Sequence, residues 1–290
     1  MPDEDLIDAN ECLTKISGIE QIKCEYRKVK DGYNLVITFE CWDNYAIMKA
    51  YNSNNTSQLN SRQLELYNKY TEVLSQVTSP SKSDYENELA IHDYLVSNIT
   101  YVDNGGSTFN AYDALINGEA VCSGYTESFK TFMDMLGIEN YTISGKAGND
   151  QHIWNVVKIN GDWYQVDITW DDMGNDDDGI FYSYFNITTN TMTEDHSIVG
   201  NYVDIPECSG TLYNYYNQNQ QYVFTVDSNL DREVFADQLA SQIKEKGFAR
   251  IFAVNDNAES LNLWNIYQEI RPSVVEKLGF KLWQMSCQYN

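Results

Sequence analysis

The chain is poor in positive charge: 19 Lys and Arg stand against 43 Asp and Glu, a formal net charge of −24. Nucleic-acid phosphates demand Lys and Arg, so a DNA or RNA partner is excluded on composition, and so is electrostatic docking on anionic lipid. No run of about 18 apolar residues occurs, which leaves no membrane span. The opening MPDEDLIDANE is acidic where a secretory leader is basic and then apolar; it reads as a solvated lead-in. Six cysteines in 290 residues are too few for a disulfide scaffold, and without a CxxC pair a thiolate zinc site is not expected; no metal site is assigned. Histidine is scarcer still, with three in the whole chain.

What is present is a packed, aromatic-rich protein: 42% hydrophobic, with 22 Tyr and 6 Trp, enough for a core and too long for one minimal domain. The chain divides into an N-terminal β-hairpin and helix region (1–80), a central core (81–204) and a C-terminal small α/β module (205–290). In the first, Ile22, Cys24 and Tyr26 alternate before KDGY, and Leu35, Ile37, Phe39 and Cys41 alternate after it, a hairpin around Asp-Gly. Cys24 and Cys41 would share a face, so either a disulfide or two free thiols fits. A polar loop leads to a helix over 62–77 with Leu64, Tyr67, Leu74 and Val77 as its stripe, ending before Pro80. Ser83 and Glu86 form a capping-box pattern that opens the next helix. From 205 onward the order is strand, helix, strand, helix, strand, with Phe235, Leu239 and Ile243 facing inward and Gly247 closing the first helix.

The chemistry sits in the middle. In EAVCSGYTESFKTFMDMLGI, Tyr125, Phe129, Phe132, Met133 and Leu136 keep helical spacing up to Gly137, so Cys122 stands at a helix N-terminus. There the positive helix end and free N–H groups favour a thiolate and can receive an oxyanion. In HIWNVVKINGDWYQVDITW, Asn160-Gly161 marks a two-residue hairpin loop. Pairing Ile159 with Asp162 and counting outward sets Trp154 opposite Asp167 and His152 opposite Thr169. His152 and Asp167 become diagonal neighbours on one face, roughly 7–8 Å apart at the backbone. Ile153, Val157, Ile159, Val166 and Ile168 form the opposite, core-facing side. Each feature alone has an ordinary structural explanation, a tucked-in thiol or a surface pair. Together they supply a nucleophile, a base and the group that orients the base.

Trp154 is a candidate to shield this site from water, to wall a substrate cleft or simply to pack, and Tyr125 is a second candidate for substrate contact. WDDMGNDDDG (170–179) fails the EF-hand template, since Gly179 at the sixth place puts Gly174 at the first and Phe185 at the twelfth. A looser Ca2+ site and a solvated acidic loop both remain open there. His92 and His196, each beside an acidic residue, read as structural.

NGEAVCSGYTESF, HIWNVVKINGDWYQVDITWDD and, less specifically, IHDYLVSNITY resemble the transglutaminase-like superfamily in its bacterial branch, across about 83–200. The resemblance implies an α+β fold: a papain-like core in which a helix carrying the cysteine packs on an antiparallel sheet carrying histidine and aspartate. Carried over residue by residue, the triad is Cys122, His152 and Asp167. The implied activity is acyl transfer through a thioester. Hydrolysis would make a peptidase or amidase acting on peptide, protein or cell-wall peptide substrates. An amine acceptor would make a cross-linking transglutaminase, and a fold kept without turnover would make a surface binding or scaffold protein. The acidic, Lys-poor, Tyr- and Asn-rich composition favours an extracellular or cell-surface location.

Overall fold

In this computed structural model, residues 19–103, 110–172, 180–199, 205–219, 223–225, 231–246, 252–254 and 263–279 are described. They fall into two compact units, Met1–Tyr215 and Tyr216–Asn290.

The first unit opens with the expected hairpin, β1 (Ile19–Val29) and β2 (Gly32–Cys41). Its register pairs Cys24 with Ile37 and Cys41 with Ile19. Cys41 therefore lies four residues beyond the partner of Cys24, about 13 Å at strand rise, too far for a disulfide, and Cys41 is a free, exposed thiol. A helix not anticipated from the sequence comes next, α1 (Asp43–Ser53), closed by Asn54 in the left-handed conformation at φ 48°. Its inward stripe is only Asn44, Ile47 and Ala50, part polar and too short to announce itself.

Helix α2 (Ser61–Val77) begins with an Asn60–Gln63 capping box and ends before Pro80 as expected, but a different face is buried. Leu66, Tyr70 and Val73 lie inside, while Leu64 of the expected stripe is 38% exposed. Both sets satisfy a helical period. The choice was made by a partner from elsewhere in the chain, Phe132, which meets Tyr70 edge-on at 4.7 Å. Helix α3 (Asp84–Asn98) carries the Ser83–Glu86 capping box in both directions.

These three helices surround α4 (Cys122–Leu136), the expected cysteine helix. Tyr125, Phe129, Phe132 and Met133 are fully buried, and Gly137 closes it at φ 75°. Polar ties fix its rotation: Asn44 donates to Thr131 (2.9 Å) and Tyr51 to the Met135 carbonyl (3.1 Å). Buried Lys130 is paired with Asp134 at 3.1 Å. Two-residue strands β3 (Thr100–Tyr101) and β4 (Glu119–Ala120) pair in parallel just before α4.

On the sheet side, β5 (Asn140–Ala147), β6 (Asp150–Ile159), β7 (Asp162–Val166) and β8 (His196–Ile198) form an antiparallel sheet of order β7-β6-β5-β8. Thr126 of α4 donates to the Ile153 carbonyl (2.9 Å), and Asn155 donates back to the Thr126 carbonyl (3.3 Å). A helix bearing the cysteine thus packs on an antiparallel sheet, the α+β arrangement expected for the core. Beyond the hairpin the chain forms the one-turn helices α5 (Ile168–Asp171), α6 (Thr189–Met192) and α7 (Tyr215–Gln218).

One expectation about this sheet needs correction. The histidine face was to be the open one; it is covered instead. Ile143, Trp154 and Val156 form a buried cluster with Tyr184, Ile187, Met192 and Cys208 from the segment after the hairpin. The sheet is therefore apolar on both sides, which alternation along one strand cannot announce.

In the second unit, β9 (Val223–Thr225) and β10 (Phe252–Val254) pair in parallel, separated in sequence by α8 (Arg232–Lys246). Phe235 and Leu239 are buried as expected, with Ala236 and Ala240 beside them. Helix α9 (Leu263–Leu278), the second helix expected in this module, runs through Pro272 and on for six residues. Val274 and Leu278 are buried in that extension, and its outer edge is tied to α8 by Lys277–Asp237 at 2.6 Å. Gly247 and the last strand expected from the sequence lie outside the described residues.

Candidate active site

Cys122 is the first residue of α4, preceded by Val121, whose side chain offers no cap. At that position its N–H has no intrahelical carbonyl to reach. The helix mouth is tightly clamped two residues on. A Cβ at Gly124 would lie 2.7 Å from the Ala120 Cβ and 3.2 Å from the Asn110 carbonyl oxygen. Only glycine lets the incoming loop approach this closely, and that approach sets where the thiol stands.

The hairpin register is as read from the sequence: Ile159 pairs with Asp162 and Asn155 with Val166. Asn160 and Gly161 have φ of 50° and 97°, the two positive values that a type I′ turn requires. The strand does not run on to Thr169, however. β7 ends at Val166, and Asp167 instead caps α5. Its Oδ1 accepts the Trp170 N–H (3.2 Å), and its backbone N–H donates to the Tyr184 carbonyl (3.0 Å). With one oxygen committed to the cap, Oδ2 is turned to the imidazoles: His152 Nε2 lies 2.5 Å from it and His196 Nε2 3.1 Å.

Burial works against a charged His152, but the Asp167 carboxylate and, after it, the neighbouring Cys122 outweigh it and push the imidazole up to about 10. Burial likewise works against ionised Asp167, and the two histidines overcome it, holding the carboxyl below its usual range. Of the three residues expected from the sequence, His152 and Asp167 are brought into a direct hydrogen bond, and Cys122 stands at the mouth of α4.

Trp154 and Tyr125 are core residues. Trp154 is 1% exposed, stacked 6.0 Å from the His152 ring, and its indole N–H donates to Gln165 (2.7 Å). Tyr125 is fully buried and its hydroxyl donates to Asp172. Tyr101 was not foreseen: burial raises its phenol and the neighbouring Cys122 adds to this, so the half-exposed ring lies near the thiol. The tripeptide around it carries no signal of this. His92 is structural as expected, fully buried between Asp93 (3.1 Å) and Asp171 (3.2 Å). Residues 173–179 of the acidic loop, where a calcium site was left open, lie outside the described residues.

His152, Asp167 and His196 also form a group whose ligand atoms lie within 4.8 Å of one another. Nitrogen and oxygen ligands at about 2.0–2.1 Å around tetrahedral zinc stand roughly 3.3 Å apart. The 2.5 Å between His152 Nε2 and Asp167 Oδ2 is a hydrogen-bond length, so this set as arranged is a proton network and not a metal cradle.

Comparison with known proteins agrees with the geometry. Residues 71–168 match the family model described as Transglutaminase-like superfamily. The matched part of the chain contains the cysteine helix and the histidine–aspartate hairpin, and it is similar to the transglutaminase-like superfamily. Kyphoscoliosis peptidase of Mus musculus is 26% identical over 116 residues, 34% of this chain and 18% of the relative; its Homo sapiens counterpart is 25% identical over the same shares. The match thus spans under a fifth of these relatives' own length. Among solved structures, a protein of Cytophaga hutchinsonii provisionally assigned as a cysteine protease is similar at 16% identity and TM-score 0.32, over 62% of this chain and 72% of that one. A structure described as a TGase is similar at 14% identity and TM-score 0.34, over 96% of this chain and 65% of that one.

Proposed function

We propose that the protein is a cysteine peptidase or amidase that cleaves amide bonds of peptide or protein substrates, cell-wall and surface peptides included, through a thioester on Cys122. The observation that supports the reading is the hydrogen bond between His152 and buried Asp167, with Cys122 among the groups that raise the His152 imidazole. In the acylation step the Cys122 sulfur bonds to the amide carbonyl carbon, and the oxyanion is received by the Cys122 N–H at the helix mouth. His152 gives its Nδ1 proton to the departing nitrogen as the C–N bond breaks, releasing an amine and leaving the thioester. Water then loses a proton to His152 and attacks the thioester carbon. The C–S bond breaks, the acid leaves, and the thiolate–imidazolium pair is restored. Asp167 holds the ring throughout without taking the proton. Hydrolysis is preferred to amine transfer because the mouse and human relatives are named peptidases. On its acidic, Lys-poor composition we place the protein outside the cell or at its surface, which fractionation of the producing cells tests.

The decisive measurement is the rate of iodoacetamide alkylation at Cys122 against pH, mapped by peptide mass, in wild type and His152→Ala. Cys122 is expected to react in the acid-to-neutral range, where ordinary thiols are protonated, and the variant to lose that shoulder. Buried Cys208, pushed up to about 12 by desolvation, is the slow internal comparison. A Cys122 rate indifferent to His152 refutes the reading and leaves a binding protein. A peptide library cleaved without added amine supports hydrolysis; turnover that depends on added amine replaces it with cross-linking.

A further inference from the structure

His196 was read from the sequence as a structural histidine. It is fully buried at its side chain and lies at the start of β8, where it pairs with Ala147, two residues beyond Gly145, the partner of His152. Paired residues of an antiparallel sheet share a face, and so do residues two apart, so both histidines project to the same side. Trp154 packs closely over Gly145. A Cβ there would lie 2.6 Å from the tip of the Trp154 ring.

Each nitrogen of the His196 ring meets a carboxylate. Nε2 lies 3.1 Å from Asp167 Oδ2, the oxygen that also takes His152, and Nδ1 lies 2.5 Å from Asp195 Oδ1. A carboxylate oxygen accepts only, so the contact with Asp167 Oδ2 calls for an N–H on His196 Nε2. Asp195 is held in turn by the Tyr184 hydroxyl at 2.5 Å on its other oxygen. Trp170, at 4.6 Å edge-on, helps enclose the ring. The groups facing His196 are therefore Asp167, Asp195, His152 at 5.5 Å between rings, and Tyr184 at 5.5 Å.

We propose that His196 is a positioning residue of the acyl-transfer site: its Nε2–H holds Asp167 Oδ2 against His152, while Asp195 and Tyr184 hold the His196 ring from behind. The inference rests on the peptidase reading of Cys122, His152 and Asp167. Two donors converging on one oxygen, with the other oxygen on the α5 cap, leave the carboxylate no second orientation. Without His196, Oδ2 keeps only the bond it is meant to direct, and the imidazole gains freedom to turn from the thiol.

The test uses two substitutions that divide the ring's contacts. Glutamine places its amide nitrogen near the position of Nε2, and asparagine near that of Nδ1. His196→Gln is expected to keep the low-pH Cys122 alkylation shoulder within about threefold of wild type. His196→Asn is expected to lose about tenfold or more of it, the fold-change for one charge-assisted hydrogen bond. Thermal melts verify that both variants fold. Equal shoulders in the two variants overturn the inference and leave the peptidase reading intact; a wild type with no His152-dependent shoulder overturns both. Where the Asn variant does not fold, imidazole 1H–15N spectra of the wild type decide. A proton on His196 Nε2 supports the inference, and a bare Nε2 overturns it.

Discussion

Gly145→Ala adds one methyl group to the sheet at the point where the two histidines approach each other. The new Cβ would lie 2.2 Å from the Ser197 carbonyl oxygen, and 2.6 and 2.8 Å from two ring carbons of Trp154. Neither neighbour yields easily. Ser197 is backbone, paired with Lys146 in β8, and Trp154 is 1% exposed with its indole N–H bound to Gln165 at 2.7 Å. Overpacking of a tight core typically costs about 1–3 kcal/mol, and a backbone obstacle puts this case near the upper end, about 3 kcal/mol. For a unit of roughly 200 residues, about 2–4 °C of melting temperature is lost per kcal/mol, or about 6–12 °C. The measurement is thermal unfolding by circular dichroism, with Cys122 alkylation at pH 6.5 on the same samples. Because β8 carries His196 next to Ser197, the shoulder should weaken along with stability. A melting temperature within about 2 °C of wild type, with an unchanged alkylation profile, refutes the close approach and the role assigned to it.

Asp167→Asn leaves two buried imidazoles facing an amide and should cost about 3–5 kcal/mol, as breaking a buried pair does. His152 is raised from its ordinary 6.5 to about 10, so the stability this pairing contributes is fully present below about 6.5 and is lost as pH rises through about 10. Urea titrations should therefore show the gap between wild type and variant narrowing from pH 6.5 to pH 10.5; a constant gap contradicts the pairing. Glu88 is pushed up to about 8 by burial. A carboxyl raised in the folded state favours folding fully below its unfolded value near 4.5 and loses that contribution as pH rises through about 8. Glu88 Oε2 accepts from Asn186 (2.9 Å), while Glu88 Oε1 and Asn186 Oδ1 have no hydrogen-bond partner among the described residues. Glu88→Gln, whose amide can donate to that orphaned oxygen, should flatten the loss of stability between pH 5 and 8, and an unaltered slope would count against the assignment. Gly124→Ala, driven against the Ala120 Cβ at 2.7 Å, should slow Cys122 alkylation by displacing the helix mouth; a wild-type rate would show that the loop yields.

The transglutaminase-like core was legible because its signals are local. A type I′ turn at Asn160-Gly161 fixes register by counting from two residues, and that count alone placed His152 beside Asp167. Capping at Ser83 and termination at Gly137 involve partners within a turn of helix. A cysteine opening an amphipathic helix needs only the period of its stripe. These features depend on residues a few positions apart, so the amino-acid order determines them before any tertiary contact exists.

What only the tertiary structure decided lies across long separations. The face that α2 buries depends on Phe132 arriving from α4. The cover over the histidine face is tied by Asn186 to Glu88, 98 positions away, and by Asp171 to His92, 79 positions away. His196 reaches Asp167 across 29 positions. A histidine beside an aspartate looks the same in a surface turn and in an active site. The difference is made by which buried carboxylate the fold turns toward it, and by burial that keeps bulk solvent from competing for the ring.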